Sequence, residues 1–424
     1  MEECTMKQQE SIWRNTNFIK FFSANTLANL GNWFDFVGVL ILFRYIWKAD
    51  PMLIALIPIM YAIPSIVLGQ FAGVLADRMN KRNILIFSDW IRAALTLLLV
   101  VTPTPWLALP ILLLRNTAGA FSLPAQQGLM RNIVNEEQIM QAVTINGSLF
   151  QLVKIVGPLL GGSLASIFSP QIAIAINGGA FILSGLILLR INIQDNPETT
   201  VTSETREPFF QAWKEGWRII WHSRILRTSI IFGMISTLTI QMIDVQIVSL
   251  FSIVFPTKPE FTGWAISAVG IGSLAIVVVL NRFKKLTKFG WFFGLGSLLI
   301  GFMATGLSFL SVFNFTLLAI ALAVFGGIGN GLTYTAINYL IQSEPPKEAI
   351  GRITGIIDSL MSVLFIAGPL LGGLLIMQLG VLTTFKVIGF TLMFIGFIGI
   401  VLQRFIWKER EIKSITANTE EALQ

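Results

Sequence analysis

Twelve apolar segments, each long enough to cross a lipid bilayer, constrain this chain more than any other feature. They cover residues 18–47, 51–76, 84–102, 105–128, 138–168, 171–191, 224–254, 261–281, 290–310, 313–341, 350–378 and 381–405. About 20 apolar residues in a helix span the hydrocarbon core. Charged residues make up only 12% of the chain, far below the roughly 25% of soluble proteins. The sequence therefore predicts an all-α membrane protein with 12 transmembrane helices.

The distribution of Lys and Arg predicts the orientation, because short loops rich in these residues stay in the cytoplasm. With both termini cytoplasmic, three of the 30 basic residues fall near the outer side and four within spans, which leaves 23 inside. These residues occur in short runs between apolar segments, so the net charge of +7 does not indicate nucleic-acid binding. The predicted organisation is a cytoplasmic tail, a six-helix bundle, a cytoplasmic linker, a second six-helix bundle and a second tail, at 1–17, 18–191, 192–223, 224–405 and 406–424.

The second part of the linker predicts a helix that lies in the plane of the membrane surface. Four large apolar residues recur every four positions, and two basic residues lie off that stripe, as expected for an interfacial helix. The apolar stripe is Phe209, Trp213, Trp217 and Trp221, and the basic residues are Lys214 and Arg218. The one cysteine, Cys4, lies in the N-terminal tail and excludes an internal disulfide.

An internal repeat divides the chain into two related halves. The segment KIVGPLLGG at 154–162 returns as FIAGPLLGG at 365–373, an offset of 211 residues. A parallel repeat of six plus six spans predicts two bundles related by an axis along the membrane normal, with a central site between them. In the first copy, Gly157, Gly161 and Gly162 allow close helix approach and Pro158 removes a helix hydrogen bond. The motif is thus compatible with static packing or with a bending point.

Several local motifs resemble one family of membrane carriers. They are GVLADRMNKR at 73–82, SDWIRA at 88–93, RNTAGA at 115–120, FSLPAQQGLMRNIV at 121–134 and GPLLGG at 157–162. Together they resemble the major facilitator superfamily, and within it the drug:proton antiporter branch that contains macrolide efflux proteins. The resemblance implies the major facilitator fold of two pseudo-symmetric six-helix bundles in a bacterial cell membrane. It also implies that Arg115 takes part in proton coupling.

The loop at 73–82 predicts a switchable contact at the cytoplasmic side. Its matching residues are Gly73, Asp77, Arg78 and Arg82. One acid among several bases forms weak ion pairs that can open and close. The resemblance implies that Asp77 meets the start of span eleven near Gly351. The alternative is that the basic residues only fix the topology.

Charged residues inside spans are candidates for function, since an ionised side chain at the middle of a bilayer costs roughly 2.5 to 3.5 kcal/mol. The candidates for proton coupling are Asp35, Asp244, Arg115, Lys154 and Asp358. We expect Asp35 and Asp244, separated by nearly the repeat offset, to face the centre from opposite halves, and Asp35 to pair with Lys154. Asp89 and Arg92, one turn apart, predict a local structural pair.

Polar and aromatic residues near these charges are candidates for a substrate cavity. Polar stripes at helical spacing are expected to line a wet cavity, and aromatic side chains suit a lipophilic ligand. The candidates are Asn25, Asn29, Asn32, Trp33, Phe36, Gln151, Thr237 and Gln241.

The sequence predicts a secondary transporter, a proton-coupled exporter of a lipophilic small molecule that works by alternating access. Its expected partners are the bilayer, protons and the small lipophilic substrate, with no nucleic acid, cofactor or metal, in a monomer. A lysophospholipid flippase or an uptake carrier of the same superfamily remain alternatives. A membrane enzyme is disfavoured because the spans hold no histidine and no paired metal ligands.

Overall fold

The computed structural model describes residues 11–192, 209–282, 289–313, 315–346 and 349–406, without the side chains of residues 70, 74, 77, 209–212, 311–313, 404 and 406. The predicted tails therefore lie largely outside the described residues, and so do the Asp77 side chain and the first part of the linker. Everything described between the tails is helical or in short connections.

Twelve helices long and apolar enough to cross a membrane are present in the described part of the chain, which confirms the predicted fold class. We number them α1 (Thr16–Ile41), α2 (Pro51–Arg78), α3 (Lys81–Val100), α4 (Pro105–Ala120), α5 (Ile139–Ile167), α6 (Pro170–Leu189), α7 (Arg224–Ile243), α8 (Glu260–Leu280), α9 (Phe289–Phe313), α10 (Thr316–Ser343), α11 (Ile350–Leu379) and α12 (Val381–Val401).

Two of the predicted spans, the fourth and the seventh, differ from the observed helices in length or continuity. Helix α4 is followed after one turn residue by a further helix, Ser122–Ile133, beyond the predicted end at 128. The predicted seventh span, 224–254, is broken, because α7 ends at Ile243 and a separate helix covers Ile247–Val254. The break begins at Asp244, an acid within the expected span.

Short polar residues fix where several helices begin. The side chains of Asn15, Ser169 and Ser223 accept hydrogen bonds from the backbone N–H groups three residues later, at 3.0, 3.2 and 3.3 Å. Each such cap satisfies a helix N–H group that has no partner within the helix. These caps start α1, α6 and α7.

The helices form two bundles. In the first, α1 packs against α5 and α6, α3 packs against α4 and α6, and α2 packs against α4. In the second, α9 packs against α10 and α12, α8 packs against α10, and α7 packs against α11. The bundles meet where α2 packs against α11 and α5 against α8. These two junctions are equivalent under the repeat, which makes α5 the counterpart of α11.

The GPLLGG motif builds both the bundles and their junctions. A Cβ atom on Gly161 would lie 2.8 Å from the Cα atom of Phe34 in α1, and one on Gly162 would lie 3.0 Å from Gly263 in α8. In the second copy, Gly372 faces the backbone of Met242 in α7, and Gly373 faces α2. The last two glycines of each motif therefore hold a helix of the same bundle and a helix of the other bundle at backbone distance.

The two ends of the molecule differ. We call the end where α1 begins and α12 ends the terminal face, and the end where α1 ends and α2 begins the distal face. At the terminal face, Cβ atoms placed on Gly73, Gly351 and Gly355 would meet nothing within 4 Å. At the distal face, α5 and α8 cross at their glycines. These three terminal-face glycines therefore have open space beside them, whereas the glycines of α5 and α8 hold the bundles together at the distal face.

Polar contacts between the halves close the distal face. Ser166 donates to Glu260 at 2.7 Å and the Trp264 indole donates to Ser163 at 2.9 Å, both between α5 and α8. Across the other junction, the Gln246 amide donates to the carbonyl of Pro51 at 2.7 Å. Each contact joins one bundle to the other.

The linker helix, Phe209–His222, lies at the terminal face against the second bundle. Glu215 accepts from Arg352 at the start of α11 at 2.5 Å, and Gly216 packs against Ile356. Trp213 and Trp221 are exposed, while Trp217 packs against the core of the second bundle. The helix is therefore attached to α11 and presents two Trp side chains outward.

Candidate functional site

A cavity of about 280 Å³ lies between the two bundles. Helices α1 and α2 form one wall of this cavity. The other wall consists of α7, α11, and the two residues directly after α7, Asp244 and Val245. The lining residues are Phe36, Pro58, Tyr61, Ala62, Gln241, Asp244, Val245, Phe365 and Pro369. The two prolines lie inside α2 and α11, the helices of one junction. The central site expected from the repeat is thus a space with both halves in its wall.

A buried ion pair lies directly behind this cavity. Arg115 Nη1 donates to Asp35 Oδ1 at 2.7 Å, and the two residues are 3% and 1% exposed. The Tyr61 hydroxyl donates to Asp35 Oδ2 at 3.0 Å and accepts from Arg115 Nη2 at 2.7 Å. Both carboxylate oxygens and the hydroxyl therefore belong to one closed triangle of charge-assisted hydrogen bonds.

This triangle corrects two expectations. The predicted Asp35–Lys154 ion pair is wrong, because Arg115 is the partner of Asp35. Asp35 is also buried and points into its own bundle, so only Asp244 of the two acids is among the residues that line the cavity. The sequence could not show this, since the rotation of α1 against α4 decides which base Asp35 meets.

The packing of the repeated motif explains the different positions of the two acids. Gly157 packs against Trp33, and its counterpart Gly368 packs against Gln241, an offset of 208 residues between α1 and α7 (241 − 33). By that offset the counterpart of Asp244 is Phe36, which also lines the cavity. The prediction treated Asp35 and Asp244, which are 209 residues apart, as equivalent, although the packing offset is 208 residues. One position corresponds to about 100° of rotation around a helix, so the two side chains point in different directions.

A second charged pair lies deeper in the first bundle. Asp89 and Arg92 are 3.7 Å apart, and Asp89 accepts a hydrogen bond from Ser184 at 2.6 Å. Arg92 also donates to Asn32 of α1 at 2.8 Å and lies over the ring of Phe181 at 3.9 Å. The pair ties α3 to α1 and α6, so it does more than the local pairing that the sequence predicts.

The asparagine stripe of α1 is used in contacts within the first bundle. The Asn25 amide donates to Asn146 of α5 at 3.0 Å, and the Asn29 amide donates to Asn25 at 2.8 Å. These side chains are partly buried. None of them is among the lining residues of the cavity, so their role in binding stays a prediction.

The aromatic candidates form a row from α1 to the cavity. The rings of Trp33 and Phe36 meet edge to face at 5.8 Å, and those of Phe36 and Tyr61 at 5.7 Å. Tyr61, which is not among the candidates named from the sequence, joins this row to the Asp35–Arg115 pair through its hydroxyl group. The available signal was a phenol hydroxyl in an otherwise apolar span.

Other candidates lie around the cavity or away from it. Gln151 and Lys154 are exposed on α5, Thr237 is half-buried on α7, and Asp358 is exposed on α11. Lys154 lies near enough to Asp244 to interact with it electrostatically. The backbone carbonyl of Asp358 accepts from Ser362 within its own helix. Asp358 is not among the lining residues of the cavity.

In the loop at 73–82, Arg82 makes a contact that was not predicted from the sequence. Arg82 donates to the carbonyl groups of Leu188 and Leu189, so it caps the end of α6 within the first bundle. Arg78 is exposed. The side chain of Asp77 lies outside the described residues, so the contact between Asp77 and α11 stays a prediction.

The bundles, the cavity between them and the buried charges define a polytopic membrane carrier. A family model described as Major Facilitator Superfamily matches residues 21–367 and 249–423, and the chain belongs to that superfamily. It is therefore a multi-pass membrane transporter of a family of carriers.

Known proteins similar to this chain extend over nearly its full length. The "Uncharacterized MFS-type transporter YfiS" of Bacillus subtilis (strain 168) is 29% identical over 397 residues, which cover 93% of this chain and 95% of that protein. The "Multidrug efflux pump Tap" of Mycolicibacterium fortuitum is 24% identical over 368 residues, covering 81% and 85%. A bacterial homologue of the human lysosomal transporter Spinster, inward-facing and unoccupied, matches at a TM-score of 0.69 with 12% identity and covers 92% of this chain and 96% of that one. That structure is evidence for the fold alone.

Proposed function

We propose that the protein exports a lipophilic small molecule from the cytoplasm in exchange for protons. The observation that carries the proposal is the triangle of Asp35, Arg115 and Tyr61, whose tyrosine ring forms part of the cavity wall. A ligand in the cavity would touch a residue that is hydrogen-bonded to both members of a buried ion pair. Similarity to the Tap efflux pump supports export.

Protonation of Asp35 is the proposed coupling event. Both oxygens of this carboxylate accept hydrogen bonds, which suits its ionised form. A proton on Asp35 removes the charge that compensates buried Arg115, and an uncompensated buried charge is strongly unfavourable. The bundles would then rearrange to give Arg115 a new environment. Proton binding thereby favours one conformation over another.

The described conformation fits the step in which substrate is taken up. If both termini are cytoplasmic, as the Lys and Arg distribution predicts, the open space beside the terminal-face glycines lies on the cytoplasmic side, and we infer that the cavity opens there. Asp35 is then ionised while the cytoplasmic side is open. Proton entry would accompany release of the substrate on the other side, which is the order that antiport requires.

The coupling step is tested by substrate-driven proton flux in proteoliposomes. We expect D35N to abolish the flux and D35E, which keeps an ionisable group, to retain part of it. D50N serves as the matched control, since Asp50 is an exposed acid at the start of α2, away from the cavity wall. Wild-type flux in D35N would refute the role of Asp35.

Tyr61→Phe tests the link between the cavity and the ion pair. The ring stays in the cavity wall, but the bond donated to Asp35 and the bond accepted from Arg115 are lost. We expect substrate binding within a few-fold of wild type and fewer protons moved per substrate. Full coupling in this variant would remove Tyr61 from the mechanism.

The single cysteine tests the orientation. Cys4 lies in the N-terminal tail, and Thr257 lies exposed in the distal connection before α8. A membrane-impermeant maleimide should leave Cys4 unlabelled in intact cells and should label T257C in a C4S background. The reverse labelling pattern would invert the proposed direction of transport.

Lipid transfer between leaflets without proton flux would instead indicate a flippase.

A further inference from the structure

Asp244 differs from Asp35 because it faces the cavity and lacks a close counter-ion. Its side chain is exposed to the cavity that it lines. Among the described residues, no basic group lies within 4 Å of it and no side chain donates a hydrogen bond to it. Asp35, in contrast, has both oxygens bonded. An acid with unused acceptor oxygens in a cavity can bind a positively charged or hydrogen-donating group of a ligand.

The break in the seventh span adds negative potential at the same place. Helix α7 ends at Ile243, and Asp244 is its C-terminal capping residue. The last carbonyl groups of a helix carry about half a negative charge and favour cations. The helix resumes only at Ile247. The carboxylate and the helix end therefore lie together at the cavity wall, as in transporters whose discontinuous helices bind ions.

Aromatic rings surround this negative site. Phe36 and Tyr61 of the first bundle and Phe365 of the second bundle line the same cavity as Asp244. The faces of aromatic rings attract organic cations within about 6 Å of the ring centre. Rings also bury the apolar surface of a ligand. This combination suits a lipophilic cation better than an anion or a neutral molecule.

Lys154 provides a positive charge from the opposite bundle. It is exposed on α5, belongs to the first bundle, and interacts electrostatically with Asp244 without forming an ion pair within 4 Å. A cationic ligand between the bundles would meet the same carboxylate. Ligand and lysine would therefore compete for one negative charge.

We propose that the transported substrate carries a positive charge and that Asp244 binds this charge in the central cavity. The proposal rests on the proposed function, because it takes this cavity as the transport site. It assigns substrate recognition to Asp244 of the second bundle and leaves proton coupling to Asp35 of the first. The sequence had treated both acids as candidates for the proton.

The test is equilibrium binding of radiolabelled tetraphenylphosphonium to the purified full-length protein. Triphenylphosphine oxide, a neutral molecule with three of the same rings, is the matched competitor. We expect it to displace tetraphenylphosphonium at least tenfold less effectively than unlabelled tetraphenylphosphonium does. Equal displacement by the neutral molecule, or no binding of tetraphenylphosphonium at all, would overturn the proposal.

Three variants assign the effect to Asp244. D244N should weaken tetraphenylphosphonium binding about tenfold or more, because a charge-assisted contact is lost, while triphenylphosphine oxide binding stays unchanged and reports an intact cavity. D244E should stay within a few-fold of wild type. K154M should tighten binding roughly threefold by removing the competing charge. D50N controls for the change in net charge.

The outcomes for substrate recognition and for coupling are separable. Wild-type tetraphenylphosphonium affinity in D244N overturns the cation site even if D35N abolishes proton flux. Loss of tetraphenylphosphonium binding in D244N together with wild-type proton flux in D35N would support the cation site and refute the proposed coupling. If D244N also fails to bind triphenylphosphine oxide, D244E, which keeps the negative charge, is the deciding variant. Weakened tetraphenylphosphonium binding in D244E would then overturn the role of the charge.

Discussion

The interiors of the two bundles are held together by different chemistry. The first bundle contains three buried charged residues, Asp35, Arg115 and Asp89, and the partly buried Arg92, in the Asp35–Arg115 and Asp89–Arg92 pairs. In the described part of the second bundle, the buried polar side chains are uncharged, for example the hydroxyl groups of Ser236 and Ser297, 2.9 Å apart. The two halves share a fold but not a charge distribution.

Glycine packing takes the place of ions in the second bundle. Gly327 faces the backbone of Val269, so α10 and α8 approach at backbone distance. Gly294 and Gly396 bring α9 and α12 equally close. Helices in lipid gain no hydrophobic driving force from association, so close packing of small residues supplies much of the attraction.

This difference in charge indicates that the two bundles respond differently to protonation. A proton can alter the charge of the first bundle, because its interior contains acids that pair with bases. The second bundle has no such group in its described interior, so its packing does not depend on protonation. We infer that the first bundle responds to protons while the second moves as a rigid unit.

The largest expected effect comes from breaking the buried pair. R115M leaves the Asp35 carboxylate buried with only Tyr61 as a donor, and removal of one partner of a buried pair costs roughly 3 to 5 kcal/mol. The double variant D35N/R115M, which removes both charges, should recover most of this loss. The measurement is the free energy of unfolding in mixed detergent micelles. Equal instability of the single and double variants would contradict the ion-pair explanation.

A smaller effect is expected from filling a glycine contact in the second bundle. G327A places a methyl group against the backbone of Val269, and such overpacking costs roughly 1 to 3 kcal/mol. G179A in α6 of the first bundle is the control, because a Cβ atom there meets nothing within 4 Å. It should leave stability unchanged or raise it by up to about 1 kcal/mol. Equal thermal unfolding temperatures of the two variants would show that the close contact at Gly327 does not contribute to the stability of the second bundle.

The smallest effect is expected at the linker helix. E215Q removes partly exposed ion pairs to Arg352 and Arg218, and pairs of this kind contribute about 0 to 1 kcal/mol. Wild type and E215Q should therefore unfold at nearly the same temperature. In 0.5 M salt the Debye screening length falls to about 4 Å, so the remaining difference in unfolding temperature should disappear. A loss comparable to that of R115M would mean that this surface pair stabilises the bundle as strongly as the buried one.

Much of the fold was predictable because lipid imposes a simple rule on sequence. Every backbone group in the hydrocarbon core needs a partner, so long apolar segments must be helices, and all twelve were found by length and composition. The repeated GPLLGG motif also predicted the equivalence of α5 and α11. The break after Ile243 was not predicted, since the immediate neighbours Ile243 and Val245 are apolar and the predicted span 224–254 runs through this position.

The partners of the buried charges were much harder to predict. Asp35 was predicted to pair with Lys154, whereas the structure pairs it with Arg115, because sequence gives the depth of a residue in the membrane but not its direction around the helix. A one-residue difference in register turns a side chain by about 100°. That difference separates Asp35, which is buried against Arg115, from Phe36, which lines the cavity.

The sequence by itself determined that this chain crosses the membrane twelve times in two related halves, and it identified the few charges that a transporter would place in lipid. Only the tertiary structure decided which charges pair, which acid meets the cavity and which face is closed. Spans follow from the local cost of exposing polar groups to hydrocarbon. Pairing depends on how helices far apart in sequence are rotated and packed, and glycines such as Gly161 and Gly162 fix this through contacts that no single segment contains.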